Sequence, residues 1–212
     1  MQKSTWILLL FAILNAHAFA EENGFVPLYN GKDLNDWHAH NGKISSWKAN
    51  GELISCIEAG GGWLSTNKEY ADYILKVDWR IEKDGNSGIG LRFTEGDPAH
   101  EGMEIQILDD DAPKHKNLVP AQYTGAIYYQ VKPLARAAKP LGEWNSYEIT
   151  CKGPLVVVKL NGVEVCRANM DEEKTGAGGH KPLSERPRKG YIGLQSHDVS
   201  HVDFKNLWIK EL

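Results

Sequence analysis

The stretch Asp72-Tyr-Ile-Leu-Lys-Val-Asp-Trp-Arg-Ile-Glu82 decides the fold class. Apart from Ile74, its apolar residues occupy odd positions and its charged residues occupy even positions. A period of two residues is typical of a β-strand that has one face in a core and the other in solvent. We therefore predict a half-buried strand here.

The same period recurs along the chain from Tyr70 onward. Further strands are predicted at residues 87–93, 103–108, 125–129, 146–152, 155–160, 163–167, 191–197 and 202–211. The dipeptide Asn161-Gly162 favours a two-residue hairpin turn, and no stretch of ten or more residues shows a helical stripe. The segments 110–123, 131–142 and 168–189 are polar and predicted to be long loops, where binding sites are commonly built. The pattern predicts an all-β antiparallel sandwich or jelly roll.

Residues 1–20 have the pattern of a secretory signal peptide. A basic Lys3 precedes an apolar run at 7–14, and small residues lead up to Ala18 and Ala20, the two predicted cleavage positions. The apolar run is shorter than the roughly 20 residues of a membrane span. We expect an exported protein, periplasmic or secreted and not inserted in a membrane, with residues 21–212 forming a single domain.

Charge and cysteine content limit the classes of partner and of stabilisation. Without Lys3 the chain carries 23 basic and 28 acidic residues, a net charge of −5, and the basic residues are scattered. Nucleic acid is therefore not an expected partner. Three cysteines leave at least one thiol unpaired, so a disulfide framework does not hold this fold. Cys151 and Cys166 either form a disulfide with each other, which leaves Cys56 free, or remain free and buried.

Alternation brings polar side chains of three strands to one face. Because Ile105 and Ile107 are expected in the core, Glu104 and Gln106 lie on the opposite face. The same rule assigns to that face Gly88, Gly90, Arg92, Tyr191, Gly193, Gln195 and His197. Planar hydrogen-bonding groups above glycines suit sugar hydroxyls, whereas an ordinary solvated sheet face is the alternative interpretation.

Aromatic and metal-binding residue types add weaker indications. Tyr128, Tyr191 and exposed tryptophans such as Trp37 or Trp63 could stack on a sugar ring, whereas Trp79, Trp144 and Trp208 are expected in the core. The run Asp109-Asp-Asp111 could bind Ca²⁺ or simply form a solvated turn, so a divalent metal ion is the one candidate cofactor. The loop histidines lack metal-ligand spacing and are expected to be exposed; they are His38, His40, His100, His115 and His180.

The chain from Phe25 to Leu212 resembles the 3-keto-disaccharide hydrolase family, also described as 3-keto-glucoside 1,2-lyase/2-hydroxy-3-keto-glucal hydratase. The stretches that carry the resemblance are Leu28-Tyr-Asn-Gly-Lys-Asp-Leu34 with Trp37, Gly62-Trp-Leu-Ser-Thr66, Asn86-Ser-Gly-Ile-Gly-Leu-Arg92, Glu104-Ile-Gln-Ile-Leu-Asp109, Thr124-Gly-Ala-Ile-Tyr128, Pro140-Leu-Gly-Glu-Trp-Asn145, Gly193-Leu-Gln-Ser-His197 and Val202-Asp-Phe-Lys-Asn206. Leu141 and Lys205 depart conservatively from the small residue and the arginine expected there.

The resemblance implies a concanavalin A-like jelly roll of two sheets and a substrate already oxidised to a ketone at sugar carbon 3. Such a ketone acidifies the hydrogen on carbon 2, so that a base can remove it, the aglycone on carbon 1 leaves by β-elimination, and water adds back. The site then needs a base, a group that stabilises the enolate, and an acid for the leaving oxygen.

We assign these roles to residues of the shared face. Either Glu104 or His197 is the base and the other is the acid, while Arg92, with a metal ion if one is present, stabilises the enolate. An arginine nearby is expected to keep Glu104 ionised at neutral pH. The substrate-binding residues are predicted to be Gln106, Gln195, Tyr128, Asp109 and Tyr191.

Two other functions fit the same fold. A non-catalytic, lectin-like sugar-binding module would use the same polar face. An ordinary glucanase would need two carboxylates on one face, and the Glu104-Ile-Gln106 pattern supplies only one.

Overall fold

The computed structural model describes residues 23–60, 62–197 and 201–212. The predicted signal peptide, residues 1–20, lies outside these ranges. The strands are β1 Val26–Pro27, β2 Trp37–His40, β3 Trp47–Asn50, β4 Leu53–Cys56, β5 Gly62–Thr66, β6 Tyr73–Ile81, β7 Asn86–Phe93, β8 Met103–Leu108, β9 Asn145–Lys152, β10 Leu155–Leu160, β11 Val163–Asn169, β12 Tyr191–Ser196 and β13 Val202–Glu211. One short helix, α1 at Pro98–Glu101, and 3-10 turns at Ile44–Ser46, Pro113–His115, Pro120–Gln122 and Leu183–Glu185 interrupt them. In this part of the chain, no helix is long and apolar enough to cross a membrane.

The strands form two antiparallel sheets, which confirms the predicted fold class. The larger sheet has the order β11-β10-β9-β6-β13-β4-β3, with β1 added beside β13. The smaller sheet has the order β2-β5-β12-β7-β8. Strands distant in sequence are neighbours in both sheets, as in a jelly roll.

The core lies between the sheets, and β6 contributes to it as its alternation predicts. Tyr73, Leu75, Val77, Trp79 and Ile81 are all buried. Their burial alternates strictly with more exposed neighbours along the strand. The odd-numbered face of β6 is therefore the core face.

The edge of the smaller sheet at β8 is covered by an irregular segment that alternation predicted to be a strand. Residues 125–129 make backbone hydrogen bonds to β8, including Tyr128 N to Glu104 O at 2.9 Å, but form only isolated bridges. Gly125 and Tyr129 both adopt positive φ, which bends the segment away from extended geometry. The segment protects a sheet edge without extending the sheet.

The three cysteines are buried thiols. Cys151 of β9 pairs with Val156 of β10, and Cys166 of β11 pairs with Val158 on the other edge of the same strand. Because β10 separates them, Cys151 and Cys166 do not form the disulfide that the sequence left open.

Candidate functional site

The candidate site lies on the outer face of the smaller sheet. The register pairs Gly90 of β7 with Glu104 of β8 on one side and with Gly193 of β12 on the other. In the adjacent row, Gly88 pairs with Gln106. The side chains of Glu104 and Gln106 therefore lie beside glycines on the neighbouring strand. Because glycine has no side chain, space is left above the sheet.

Trp63 covers part of that glycine floor. It pairs with Gln195 in the register, and its ring lies 3.1 Å and 3.2 Å from where a Cβ on Gly90 or Gly193 would stand. Only 3% of Trp63 and 5% of Trp37 is exposed, so the expectation that these tryptophans are exposed platforms is wrong. Trp63 packs on the glycines of the site, whereas Trp37 belongs to the core.

Glu104 is the central ionisable group of this face. Only 3% of it is exposed, and its carboxyl group lies over Gly88. Gln195 hydrogen-bonds to the carboxyl group. The amide of Gln106 satisfies its neighbours when its nitrogen faces Glu104, where it donates to Oε1 at 3.2 Å and to the Ser87 carbonyl at 2.9 Å. Two amides therefore hold one buried carboxyl group.

Burial, together with the nearby carboxylate of Asp97, raises the pKa of Glu104 from 4.5 to about 8. The hydrogen bond from Gln195 lowers the pKa and offsets only part of these two effects. Glu104 is consequently protonated at neutral pH. The expectation that an arginine keeps it ionised is wrong.

Arg92 is not on the shared face, which corrects its predicted position. The register passes from Leu91–Ile192 to Phe93–Tyr191, so Arg92 is the extra residue of a β-bulge, with φ of 52°. The bulge turns its fully buried side chain toward the larger sheet. There it donates to the carbonyls of Ala71 and Gly153, each at 2.8 Å, and to Oδ1 of Asp72 at 3.0 Å. Arg92 therefore connects the two sheets, and the predicted enolate contact is withdrawn.

Phe93 takes the place on the outer face that alternation assigned to Arg92. Its ring lies 6.2 Å from that of Trp63, 5.4 Å from that of His40 and 5.9 Å from that of Tyr191. Half-buried Tyr191 also meets His38 edge-on at 5.4 Å. These rings form an aromatic wall beside the glycine floor.

The side chain and the carbonyl of Asp109 both accept hydrogen bonds from within the fold. Its Oδ2 accepts from Asp84 N at 2.8 Å, and its carbonyl accepts from Nδ1 of His115. Its two neighbours are also engaged, Asp110 by Thr124 and Asp111 by Arg136. Among the residues at 23–60, 62–197 and 201–212, no group of three or more His, Cys, Asp or Glu side chains could hold a metal ion.

Tyr128 lies beside β8, and His197 follows β12. Tyr128 is half-buried, and its hydroxyl accepts a hydrogen bond from Nε2 of Gln122 at 3.0 Å. Burial raises the pKa of Tyr128, and the charge of Glu104 acts in the same direction. His197 is half-buried and follows β12, two residues after Gln195.

The structure adds two residues that the sequence did not indicate. Asp97 precedes α1, where its Oδ1 accepts from Ala99 N at 2.8 Å, and its charge acts on Glu104. His180 is only 7% exposed and stacks between His100 and Tyr129. The expectation that His180 is an exposed loop residue is therefore wrong, as it is for His115, also 7% exposed. Neither burial follows from a local pattern, because both histidines lie in irregular segments.

This arrangement is suited to proton transfer on a polyhydroxylated ligand. A protonated carboxyl group in a desolvated position can donate a proton at neutral pH. Within the described part of the chain, Oε1 of Gln195 is inaccessible to solvent and has no hydrogen-bond partner.

Known proteins share this fold and part of this sequence. The curated 3-keto-disaccharide hydrolase of Bacteroides thetaiotaomicron is 23% identical over 239 residues, covering 91% of this chain and 80% of that protein. A crystal structure of a "putative glycosyl hydrolase" from Parabacteroides distasonis is 29% identical, has a TM-score of 0.80, and covers 89% of this chain and 99% of its own. The carbohydrate-binding module CBM66 from Bacillus subtilis, 14% identical with a TM-score of 0.51 over 89% of this chain and 96% of its own, shares the fold.

The match to a family model extends over both sheets and includes every residue of the site described above. It covers residues 24–210, nearly the whole part of the chain that the structure describes. The chain belongs to the family of 3-keto-alpha-glucoside-1,2-lyase-like domains.

Proposed function

We propose that this protein cleaves glycosides that carry a ketone at sugar carbon 3, by elimination of the aglycone followed by hydration. The observation that carries the proposal is Glu104, a buried carboxyl group on a glycine floor with a pKa of about 8. Family membership and a relative named 3-keto-disaccharide hydrolase support the substrate class.

The ketone determines which groups the reaction needs. It acidifies the hydrogen on carbon 2, so the first bond to break is C–H and no oxocarbenium ion forms. The aglycone then leaves from carbon 1 as its oxygen is protonated. A carboxyl group that is protonated at neutral pH suits this second task, and we assign it to Glu104.

Other side chains of the face bind the sugar. Gln106 and Gln195 hold Glu104 and offer amide groups to sugar hydroxyls. Tyr128 and Tyr191 border the glycine floor from two sides. The candidate base from the sequence is His197, because it lies two residues after Gln195 and alternation assigns both residues to the same face.

We also propose that the protein is exported. Lys3, the apolar run at 7–14 and the small residues before Ala20 support a cleaved leader. Substrate would then be met in the periplasm or outside the cell. N-terminal sequencing of protein purified from the producing cell tests this, and a chain that begins at Glu21 or Phe19 is the expected result, whereas an intact Met1 would contradict it.

The test of the activity compares an oxidised substrate with its parent. The purified protein is incubated with a 3-keto-glucoside and with the unoxidised glucoside, each with and without EDTA, and free aglycone and 2-hydroxy-3-keto-glucal are measured. Release of the aglycone from the 3-keto-glucoside but not from the unoxidised glucoside supports elimination. Loss of that release with EDTA would reveal a metal requirement. Binding of several 3-keto-glycosides without release would instead identify a sugar-binding module.

A further inference from the structure

A stack of three rings borders the site on the side of α1. The rings of His100 and His180 are 3.9 Å apart and nearly parallel, at 11°. Tyr129 stacks on the other side of His180 at 4.9 Å, and Tyr128 meets it edge-on at 5.7 Å. His180, in the middle, is fixed on three sides.

One hydrogen bond determines which nitrogen of His180 carries the proton. Nδ1 lies 2.8 Å from the carbonyl oxygen of Ala99. A carbonyl can only accept, so Nδ1 is the protonated nitrogen and the neutral ring keeps its lone pair on Nε2. Among the described residues, no hydrogen bond engages that second nitrogen.

The surroundings of His180 keep the ring neutral. Burial lowers its pKa from 6.5, and the neighbouring His100 and Arg186 lower it further. The hydrogen bond to the Ala99 carbonyl and the charge of Asp97 act in the opposite direction, without reversing the shift. At neutral pH the ring is therefore a base and not an acid.

His180 lies beside the glycine floor next to Glu104, because its Nδ1 bonds to the carbonyl of Ala99 and the preceding residue, Pro98, has its Cβ 3.1 Å from where a Cβ on Gly90 would stand. Tyr128 joins His180 to Glu104, because its backbone N–H donates to the Glu104 carbonyl while its ring contacts His180. The charge of Asp97 raises the pKa of Glu104, of Tyr128 and of His180. A neutral base and a protonated acid thus stand in one site, with pKa values displaced in opposite directions.

We propose that Nε2 of His180 is the base that removes the hydrogen from carbon 2 of the sugar. This assignment rests on the proposed function and replaces His197 in that role. The C–H electron pair forms the enolate, and the proton goes to His180. The enolate then re-forms the ketone as carbon 1 and carbon 2 become doubly bonded, while the C1–O bond breaks and Glu104 protonates the leaving oxygen.

Hydration restores both residues. The Glu104 carboxylate takes a proton from water as the oxygen of that water bonds to carbon 1. The proton on Nε2 of His180 exchanges with solvent, and His180 then donates a proton to carbon 2. The sum is hydrolysis of the glycoside, with no oxidant, reductant or other co-reactant.

The test separates proton abstraction from aglycone release. A 3-keto sugar without an aglycone, 3-keto-1,5-anhydroglucitol, reports exchange of the C2 hydrogen in deuterium oxide by NMR. A 3-keto-glucoside reports release. The variant His180→Asn keeps a donor at the position of Nδ1 and removes Nε2, and His180→Gly with added imidazole serves if the asparagine variant does not fold.

His115 provides a matched control. It is also 7% exposed, and its Nδ1 also lies 2.8 Å from a backbone carbonyl, that of Asp109. His115→Asn therefore makes the same change at an equally buried position outside the site. Comparable changes in melting temperature are expected for the two asparagine variants.

We expect His180→Asn to lose both exchange and release by about a hundredfold or more, and His115→Asn to lose neither. Glu104→Gln should retain exchange and lose release. A folded His180→Asn that exchanges like the wild type, or loss of exchange in His197→Asn instead, would overturn the assignment while leaving the activity intact. A wild-type protein that neither exchanges nor releases would overturn the proposed function together with it.

Discussion

The carboxyl group of Glu104 occupies the space that a side chain at Gly88 would fill. A Cβ built on Gly88 would stand 2.2 Å from Oε1 of Glu104 and 2.7 Å from its Cγ. Gly88 lies in regular strand, without positive φ, so the glycine is required there by this contact and not by backbone strain. The position of the Glu104 carboxyl group thus depends on the absence of a side chain at Gly88 on the neighbouring strand.

Gly88→Ala is expected to displace Glu104 and lower kcat/KM more than about tenfold, since small displacements of a catalytic group are costly. The clash should also destabilise the fold. In a Glu104→Ala background the same substitution should be neutral or stabilising, because alanine suits a strand better than glycine. Thermal unfolding of the four proteins of this double-mutant cycle measures the coupling, and additive effects would show that the two residues do not interact.

The raised pKa of Glu104 makes stability depend on pH. Between 4.5, its ordinary value, and about 8, its value in the fold, the folded protein binds a proton that the unfolded chain releases. This contribution is fully present below the lower value and is lost as the pH rises through the upper one.

Glu104→Gln should remove that dependence. The neutral amide has no proton to lose, so the variant is expected to exceed the wild type in free energy of unfolding by about 4 kcal/mol near the upper pKa. Urea unfolding at several pH values checks this. Parallel pH profiles for the two proteins would mean that Glu104 titrates normally in the fold.

The rate should have a bell-shaped dependence on pH. As an acid, Glu104 is active when protonated, so kcat/KM should fall as the pH rises past about 8. As a base, His180 is active when neutral, so the acid limb should lie below 6.5. An alkaline limb that persists in the residual activity of Glu104→Gln would assign it to another group.

Arg92 is expected to matter for stability. Arg92→Met removes the donor to the carbonyls of Ala71 and Gly153 and the charged partner of Asp72, which keeps only the Gly153 N–H, at a cost of about 3 kcal/mol or more. Arg80→Met is the control, because Arg80 pairs with Asp203 at 2.9 Å while 40% of its side chain is exposed. That pair is worth less than about 1 kcal/mol. Equal losses in chemical denaturation would contradict the structural role of Arg92.

The alternation of apolar and polar residues predicted the strands correctly where the strands are regular. The predicted segments 103–108, 155–160 and 202–211 coincide with β8, β10 and β13, and Glu104, Gln106 and Gln195 lie on one face of the smaller sheet. The short strands β1 to β5 were not predicted, because two to five residues cannot display a period and β5 is buried on both faces.

Arg92 and His180 show what alternation cannot detect. One inserted residue reverses the side that every later side chain faces, and the bulge at Arg92 leaves no mark in the sequence of β7. His180 lies in the long segment 168–189, and its burial depends on contact with Ala99, 81 residues away. Only the folded chain brings those partners together.

The most direct test of the central claim follows hydrogen at carbon 2 during one turnover. A 3-keto-glucoside is cleaved in deuterium oxide, and the early product is examined by NMR, with the hydrogen on carbon 4 as the internal measure of uncatalysed enolisation. Elimination and hydration through the site of Glu104 predict deuterium at carbon 2 of each product molecule and almost none at carbon 4. Product that retains hydrogen at carbon 2 would show direct hydrolysis of the glycosidic bond and contradict the account.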